Sequence, residues 1–371
     1  MLTKFVRDTV SFLISDTQMF QLRYQSYHYS KSQPLPSLEG LPEFAQVAFA
    51  FCRDWLAGQE TFTQQTSGST GVPKLQVITR TQMEASADAT GAFFSTTTEE
   101  HLLCCLNPVY IAGKMMLVRA LVWDCPITLV EPSANPLLNL EAQISFVALV
   151  PLQVEAILAE EKSRLLLQSI PHVLIGGAAL PHKTQQGLVR QGIRAWQSFG
   201  MTETVSHIAL AKIGEGELVY QALPGVAIGT NEQDCLWVQS PMSGSEKIQT
   251  NDRIELQSKN TFTWLGRADF VVNSGGIKLF PEQLERQIAP LLEEICPGSA
   301  YFLFGEKDSR LGEQLVLYVE GPREETKRLA LEVGLGQIVG KYEVPKKIYF
   351  KPAFAYTPSR KINRHATAAS L

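Results

Sequence analysis

The sequence contains no CxxC pair and no metal-ligand spacing: its six cysteines, Cys52, Cys104, Cys105, Cys125, Cys235 and Cys296, are scattered. In a chain this long they read as reduced, mostly buried thiols, which points to the cytoplasm. No apolar run approaches the ~18 residues that mark a membrane span. No block of like charge stands out, and 33 basic against 37 acidic residues leave a net charge of -4. Nucleic acid and membrane surfaces are therefore not expected partners. There is no internal repeat and no low-complexity tract. The opening stretch MLTKFVRDTVSFLISDT carries Lys4, Arg7 and Asp8 and lacks a small-residue cleavage site, so it reads as an amphipathic start rather than a signal peptide.

What is present is an ordinary globular composition. With 371 residues and 45% hydrophobic content, the chain can bury at least one large core, and a length divided by about 150 suggests two or three domains. The stretch from Tyr27 to Glu39 reads as an irregular connection, followed by a helix over LPEFAQVAFAFCRDWLAG closed by Gly58. From Thr61 onward, short apolar runs (HLLCCLN, CPITLVEP, ISFVALVP, PHVLIGG) alternate with helix-compatible segments. That alternation predicts an α/β fold with a largely parallel sheet. Residues 213–268 turn β-rich, through ELVYQALPGVAIGT, DCLWVQS, KIQTNDRIELQS and TFTWLGR. After that the pattern is α+β: a helix over PEQLERQIAPLLEEI, paired strands in AYFLFGEK and EQLVLYVEG, and a helix over REETKRLALEVGLGQIVGKY. The expected division is a large domain over 1–268, with its β-rich subdomain, and a small, mobile domain over 269–371.

The sharpest local feature is Thr66-Ser67-Gly68-Ser69-Thr70-Gly71-Val72-Pro73-Lys74. Two glycines permit backbone conformations that turn successive N–H groups inward, four hydroxyls add donors, and Lys74 adds a point charge. Together they suit a polyphosphate. Leu75 after Lys74 excludes the GxxxxGK[ST] loop, and with it kinases and ATPases of that type.

Taken whole, TSGSTGVPK resembles the phosphate loop of the adenylate-forming superfamily, which holds acyl- and aryl-CoA synthetases, peptide-synthetase adenylation domains and luciferases. Five further segments match that family in order. They are Phe199-Gly200-Met201-Thr202-Glu203-Thr204, which follows the turn Leu174-Ile175-Gly176-Gly177-Ala178-Ala179; Thr250-Asn251-Asp252; Gly266-Arg267-Ala268-Asp269; Gly275-Gly276-Ile277-Lys278 with Pro281-Glu282; and Ser359-Arg360-Lys361-Ile362-Asn363-Arg364. Arg360 stands where the family normally has glycine. Within the superfamily, SFGMTETVSHIAL and FVALVPLQV resemble the o-succinylbenzoate–CoA ligases of menaquinone synthesis, and so does the short chain ahead of the phosphate loop. Were a strand missing there, the sheet edge would be exposed, and a homodimer contact over residues 1–60 would cover it.

The resemblance implies an ATP- and Mg²⁺-dependent enzyme that converts a carboxylic acid to an acyl-adenylate and then to a thioester of coenzyme A, with o-succinylbenzoate as the acid. The carboxylate is already a nucleophile, so the barrier is anion meeting anion, and catalysis is positioning and charge neutralisation. By resemblance, Thr66 to Lys74 hold the β- and γ-phosphates, Thr202 contacts the α-phosphate and Glu203 holds Mg²⁺. Asp252 and Arg267 take the ribose. Phe199 stacks on adenine beside Gly200, and Gly176, Gly177 and Ala178 let backbone approach the base. Lys361 neutralises charge between the α-phosphate and the acid. Asp269 is the hinge about which the small domain turns, and Gly275 and Gly276 approach the pantetheine. Tyr110, Gly113, Ser206 and His207 are the candidates for acid recognition, with Ala112 between them, and Arg80 is an option for a second carboxylate. Two rival readings remain: another acyl- or aryl-CoA ligase, and a non-catalytic nucleotide-binding protein of the same fold.

Overall fold

The computed structural model describes residues 19–66, 74–244, 246–357 and 362–369; for Gln65, Thr66 and Lys74 it describes only the backbone. The chain enters through a hairpin, β1 (Gln21–Tyr24) and β2 (Tyr27–Ser30). The sequence reading expected an irregular connection from Tyr27. Instead Tyr29 buries its ring while His28 faces solvent, a short alternation sufficient for an edge strand. The amphipathic helix α1 (Glu43–Leu56) follows, and then β3 (Thr61–Thr66) and β4 (Lys74–Thr79), which pair only with each other. Helix α2 (Arg80–Phe94) starts at a capping box in which Thr79 and Gln82 satisfy each other's backbone.

The α/β core comes next: β5 (Leu102–Cys104), α3 (Ile111–Trp123), β6 (Pro126–Leu129), β7 (Phe146–Leu149), α4 (Pro151–Ala159), α5 (Glu161–Ser169), β8 (His172–Ile175), α6 (His182–Arg190) and β9 (Ala195–Gly200). Every residue of β5 and β7 is buried, as expected of parallel strands covered on both faces. Helix α3 is apolar nearly all round and is almost wholly buried. The β-rich stretch supplies β10 (His207–Lys212), β11 (Val219–Ala222), β12 (Ala227–Thr230), β13 (Cys235–Gln239), β14 (Lys247–Leu256) and β15 (Thr261–Arg267). The segment ELVYQALPGVAIGT, read as strand, is divided between β11 and β12 at Pro224-Gly225, where Gly225 takes φ +80°.

These strands form one mixed sheet in the order β12-β13-β14-β15-β11-β10-β9-β8-β7-β5-β6-β1-β2. The run from β9 to β1 is parallel, and the rest of the sheet is antiparallel. Helices α1, α2 and α3 contribute to the core on one face, and α4, α5 and α6 to that on the other. The hairpin β1–β2 extends the sheet beyond β6.

A second sheet begins with β16 (Val272–Ser274) and β17 (Ile277–Leu279). Helix α7 (Pro281–Ile295) opens with proline at its first turn. Then come β18 (Tyr301–Asp308), β19 (Gly312–Glu320), α8 (Glu325–Ile338), β20 (Lys347–Lys351) and α9 (Arg364–Ala369). This sheet buries cores of its own.

Candidate active site

In a doubly wound sheet, ligands bind beyond the carboxyl ends of the parallel strands, where the chain switches direction across the sheet. Here β5 lies between β6, which follows it through α3, and β7. Some of the sequence-predicted residues lie at that end. Tyr110 and Gly113 follow β5, Gly176, Gly177 and Ala178 follow β8, Gly200 ends β9, and Thr202 and Glu203 follow it.

Local packing explains the glycines. A Cβ on Gly176 would lie 2.2 Å from Ser198 Oγ, and one on Gly113 would lie 2.5 Å from the Leu106 carbonyl oxygen. Gly177 takes φ +85°. A Cβ on Gly200 would lie 2.4 Å from His207 Cα, so glycine lets β9 and the start of β10 approach. Ala178 accepts a bond from Gln197 Nε2 at 3.1 Å, while the other amide atom, Gln197 Oε1, is buried without a partner among the described residues.

Thr202–Thr204 is a 3₁₀ turn with Glu203 exposed. The buried Val205 has φ +64° and ψ -52°, and the Ser206 N–H donates to Thr204 O at 2.6 Å. Left-handed backbone in a β-branched residue costs about 1–3 kcal/mol. The tight reversal turns Ser206 and His207 back towards α2 and α3. Among the described residues no group of three or more His, Cys, Asp or Glu side chains can hold a metal. A lone carboxylate such as Glu203 is the donor set that suits Mg²⁺ shared with substrate phosphates.

Asp252 and Arg267 are register partners across β14 and β15. Trp264 Nε1 donates to Asp252 Oδ1 at 3.0 Å, and Arg267 Nη2 lies 2.5 Å from Asp269 Oδ2. Asn251 Nδ2 also donates to Asp269, at 3.0 Å. The ribose and hinge candidates thus share one hydrogen-bonded corner. Phe199 packs edge-on against Tyr220 and Phe262, with ring centroids 5.5 and 5.3 Å away. Gly275 and Gly276 form the exposed β16–β17 turn. Ser67, Gly68, Ser69, Thr70, Gly71 and Lys361 lie outside the described residues. So do the side chains of Thr66 and Lys74, whose backbones pair at the ends of β3 and β4. The root of that hairpin is tied to the β5–α3 loop, because Gln64 Nε2 donates to Val109 O at 2.9 Å and Lys114 Nζ donates to Gln64 Oε1 at 2.7 Å.

The acid-recognition candidates separate. Tyr110 is 63% exposed, and Ser206 is half-buried. His207 is buried with both ring nitrogens engaged: Nε2 lies 3.1 Å from Thr90 Oγ1, and Nδ1 lies 3.3 Å from Ser206 Oγ and 3.5 Å from Arg119 Nη2. Burial, and after it the neighbouring guanidinium, hold its pKa well below the usual histidine value. Arg80 is engaged within the protein. It bonds Glu84 at 2.8 Å and the Trp55 carbonyl at 2.9 Å, and stacks on the Trp55 ring.

Arg119 was missed in the sequence. It is 2% exposed on α3, and its Nη2 reaches Ser206 Oγ at 3.4 Å. Its Nε has no partner, and among the described residues no carboxylate lies within 4 Å of it. Burial lowers its pKa to about 10. The signal was there: two cations, Lys114 and Arg119, in the otherwise apolar run IAGKMMLVRALVW each have to meet something, and Lys114 meets Gln64.

Residues 51–232 match the AMP-binding enzyme family. The 2-succinylbenzoate–CoA ligase of Salmonella typhimurium is 28% identical over 272 residues, which make up 69% of this chain and 57% of that protein. The chain thus spans little more than half the length of that curated relative. The crystal structure of an acyl-CoA synthetase (AMP-forming)/AMP-acid ligase II-like protein from Dyadobacter fermentans is 39% identical, covering 91% of this chain and 96% of that one with a TM-score of 0.62. The fold is shared also by an O-succinylbenzoate coenzyme A synthetase from Bacillus subtilis, solved in complex with ATP and a magnesium ion, at 20% identity and a TM-score of 0.69 over 82% of this chain and 69% of that one. With a relative this similar along nearly its whole length, the chain belongs to the adenylate-forming AMP-binding enzymes.

Proposed function

We propose that the chain is an AMP-forming acid–CoA ligase and that its acid carries a second carboxylate, 2-succinylbenzoate being the best match. The observation that carries this reading is Arg119, a cation buried without an anion beside Ser206 and His207. Desolvating an arginine without a carboxylate is strongly unfavourable for folding. A ligand with a carboxylate to spare would repay it with a charge-assisted bond. The curated relatives bearing the 2-succinylbenzoate–CoA ligase name support the same choice.

In the first half-reaction one acid carboxylate attacks the α-phosphorus and pyrophosphate leaves. In the second the coenzyme A thiolate attacks the acyl carbon and AMP leaves with its phosphate oxygen. When bound, Mg²⁺ neutralises phosphate charge. In this reading Glu203 holds it, Thr202 and the loop from Thr66 to Lys74 position the phosphates, and Lys361 neutralises the charge that gathers between the reactants. Asp252 and Arg267 orient the ribose. The chain divides at 268/269 into a large and a small domain, with Asp269 at the hinge and the Gly275–Gly276 turn brought towards the thiol after adenylation.

The test is pyrophosphate release from ATP and Mg²⁺ with 2-succinylbenzoate and a panel of mono- and dicarboxylic acids, with and without coenzyme A. Release with 2-succinylbenzoate, a CoA thioester as product and loss of both in Lys361→Ala are expected. Release with monocarboxylic acids alone would remove the second-carboxylate reading and leave adenylation standing.

A further inference from the structure

Resting on that reading of the acid, we infer that His207 is a positioning residue for Arg119, locked by Thr90 into the tautomer that accepts from the guanidinium instead of opposing it. Thr90 Oγ1 donates its one proton to the Ser86 carbonyl at 2.9 Å. The hydroxyl can therefore only accept from the imidazole 3.1 Å away, which places the ring proton on His207 Nε2. Nδ1 is left with a lone pair, and that atom faces Arg119 Nη2 and Ser206 Oγ. Arg119 has no proton acceptor to offer, so no other tautomer satisfies both ends of the chain.

The consequence is electrostatic. A carboxylate in this place would hold the guanidinium too, but would neutralise it and repel an anionic ligand. A neutral imidazole orients Nη2 while leaving the charge whole. The other guanidinium nitrogens are weakly held: Nη1 faces Met116 Sδ at 3.3 Å and Nε is unpartnered. The ring of Phe146 lies 5.9 Å from the guanidinium carbon and offers a face rather than an anion. The series Ser86–Thr90–His207–Arg119 thus runs from α2 through the first residue of β10 to α3. It fixes the direction of a buried charge whose Nε has no partner and whose Nη1 meets only a thioether among the described residues. The left-handed turn at Val205 places His207 and Ser206 together at that point.

The experiment compares 2-succinylbenzoate with its two monomethyl esters in the full-length enzyme, together with ¹⁵N NMR of the histidine ring without substrate. In the wild type, His207 should show a protonated Nε2 and an unprotonated Nδ1 that does not titrate between pH 6 and 8. His207→Ala should raise KM for the diacid about 10-fold or more, with kcat and KM for ATP little changed. The ester lacking the carboxylate that meets Arg119 should be used as poorly as before. His207→Asn, whose amide oxygen replaces Nδ1 as acceptor, should restore most of the diacid preference. Thr90→Val should move proton density to Nδ1 and raise the diacid KM in parallel. The inference is overturned by a ring protonated on Nδ1, or by a His207→Ala variant that loses stability and acts equally poorly on diacid and esters. A wild type indifferent to the second carboxylate sinks the acid assignment instead. The NMR tautomer and its response to Thr90→Val then still decide whether His207 is locked as described.

Discussion

Two arginines on helices, the half-buried Arg364 and the buried Arg119, meet opposite conditions. Arg364, on α9, is clasped by Glu285 of α7 through two parallel bonds of 2.8 and 2.9 Å, lies 3.8 Å from the carboxylate of the buried Glu282, and stacks on Phe270 at 4.7 Å. Glu285 accepts in addition from the Leu303 N–H at 2.7 Å. Arg119, more deeply buried, has no carboxylate within reach among the described residues and holds only long bonds to a hydroxyl, an imidazole and a thioether. The first arrangement supplies its own counter-charges and fastens α9 to α7. The second is complete only with something added. A buried ion pair and a buried lone cation are therefore not two degrees of the same feature: one belongs to the fold, the other to a ligand.

The largest effect should come from breaking the complete pair. Arg364→Met leaves the half-buried Glu285 and the buried Glu282 without their cation and should cost about 3–5 kcal/mol of stability, read by denaturant unfolding. Adding Glu285→Leu should recover part of that loss, because it removes one stranded carboxylate and leaves Glu282 without its cation. A loss under about 1 kcal/mol in Arg364→Met would place this pair with ordinary surface bridges and dissolve the contrast.

The same substitution at Arg119 should act with the opposite sign on stability. Arg119→Met removes an unpaired buried charge, so unfolding should be unchanged or harder, by up to about 1–4 kcal/mol. Discrimination between 2-succinylbenzoate and its monoesters should fall by about 10- to 100-fold, the worth of one hydrogen bond to a charged group. A stability loss comparable to that of Arg364→Met, with discrimination retained, would make Arg119 a member of the core.

This contrast also marks how far the sequence could be read. The parallel core was legible because β5, β7 and β8 are apolar runs divided by helical segments. The turns after β8 and β9 were legible through their resemblance to the family's segments, and the structure gives Gly176 and Gly200 a steric reason, the close approach of Ser198 Oγ and of the His207 backbone. The hairpin β1–β2 was not, since a four-residue edge strand with one buried tyrosine carries too little alternation to register. Arg80 drew attention by standing close to the phosphate loop in sequence, yet α2 turns it onto Trp55. Arg119 escaped because its meaning lies in contacts with Ser206 and His207, 87 and 88 residues away, and in an absence of acids that only the folded chain displays.

The smallest effect separates the two regions by pH. Burial pushes the Glu285 carboxyl up to about 7, with Arg364 opposing, against an ordinary glutamate value of about 4.3. Between those values the folded chain binds more protons than the unfolded one. The contribution of Glu285 is therefore fully present below pH ~4.3 and is lost as pH rises towards 7, by at most about 1.4 kcal/mol per unit. His207 runs the other way: with its pKa depressed, its contribution is present above pH ~6.5 and is lost on acidification. The opposed slopes partly cancel in the wild type, so single variants are needed to see them. Denaturant unfolding at pH 5, 6 and 7 should show the stability of wild type relative to Glu285→Gln declining with each step, while that of wild type relative to His207→Asn increases. Parallel curves for wild type and Glu285→Gln would mean that the Arg364 clasp keeps the carboxylate ionised throughout, and would make the pair the stronger of the two opposing influences on Glu285.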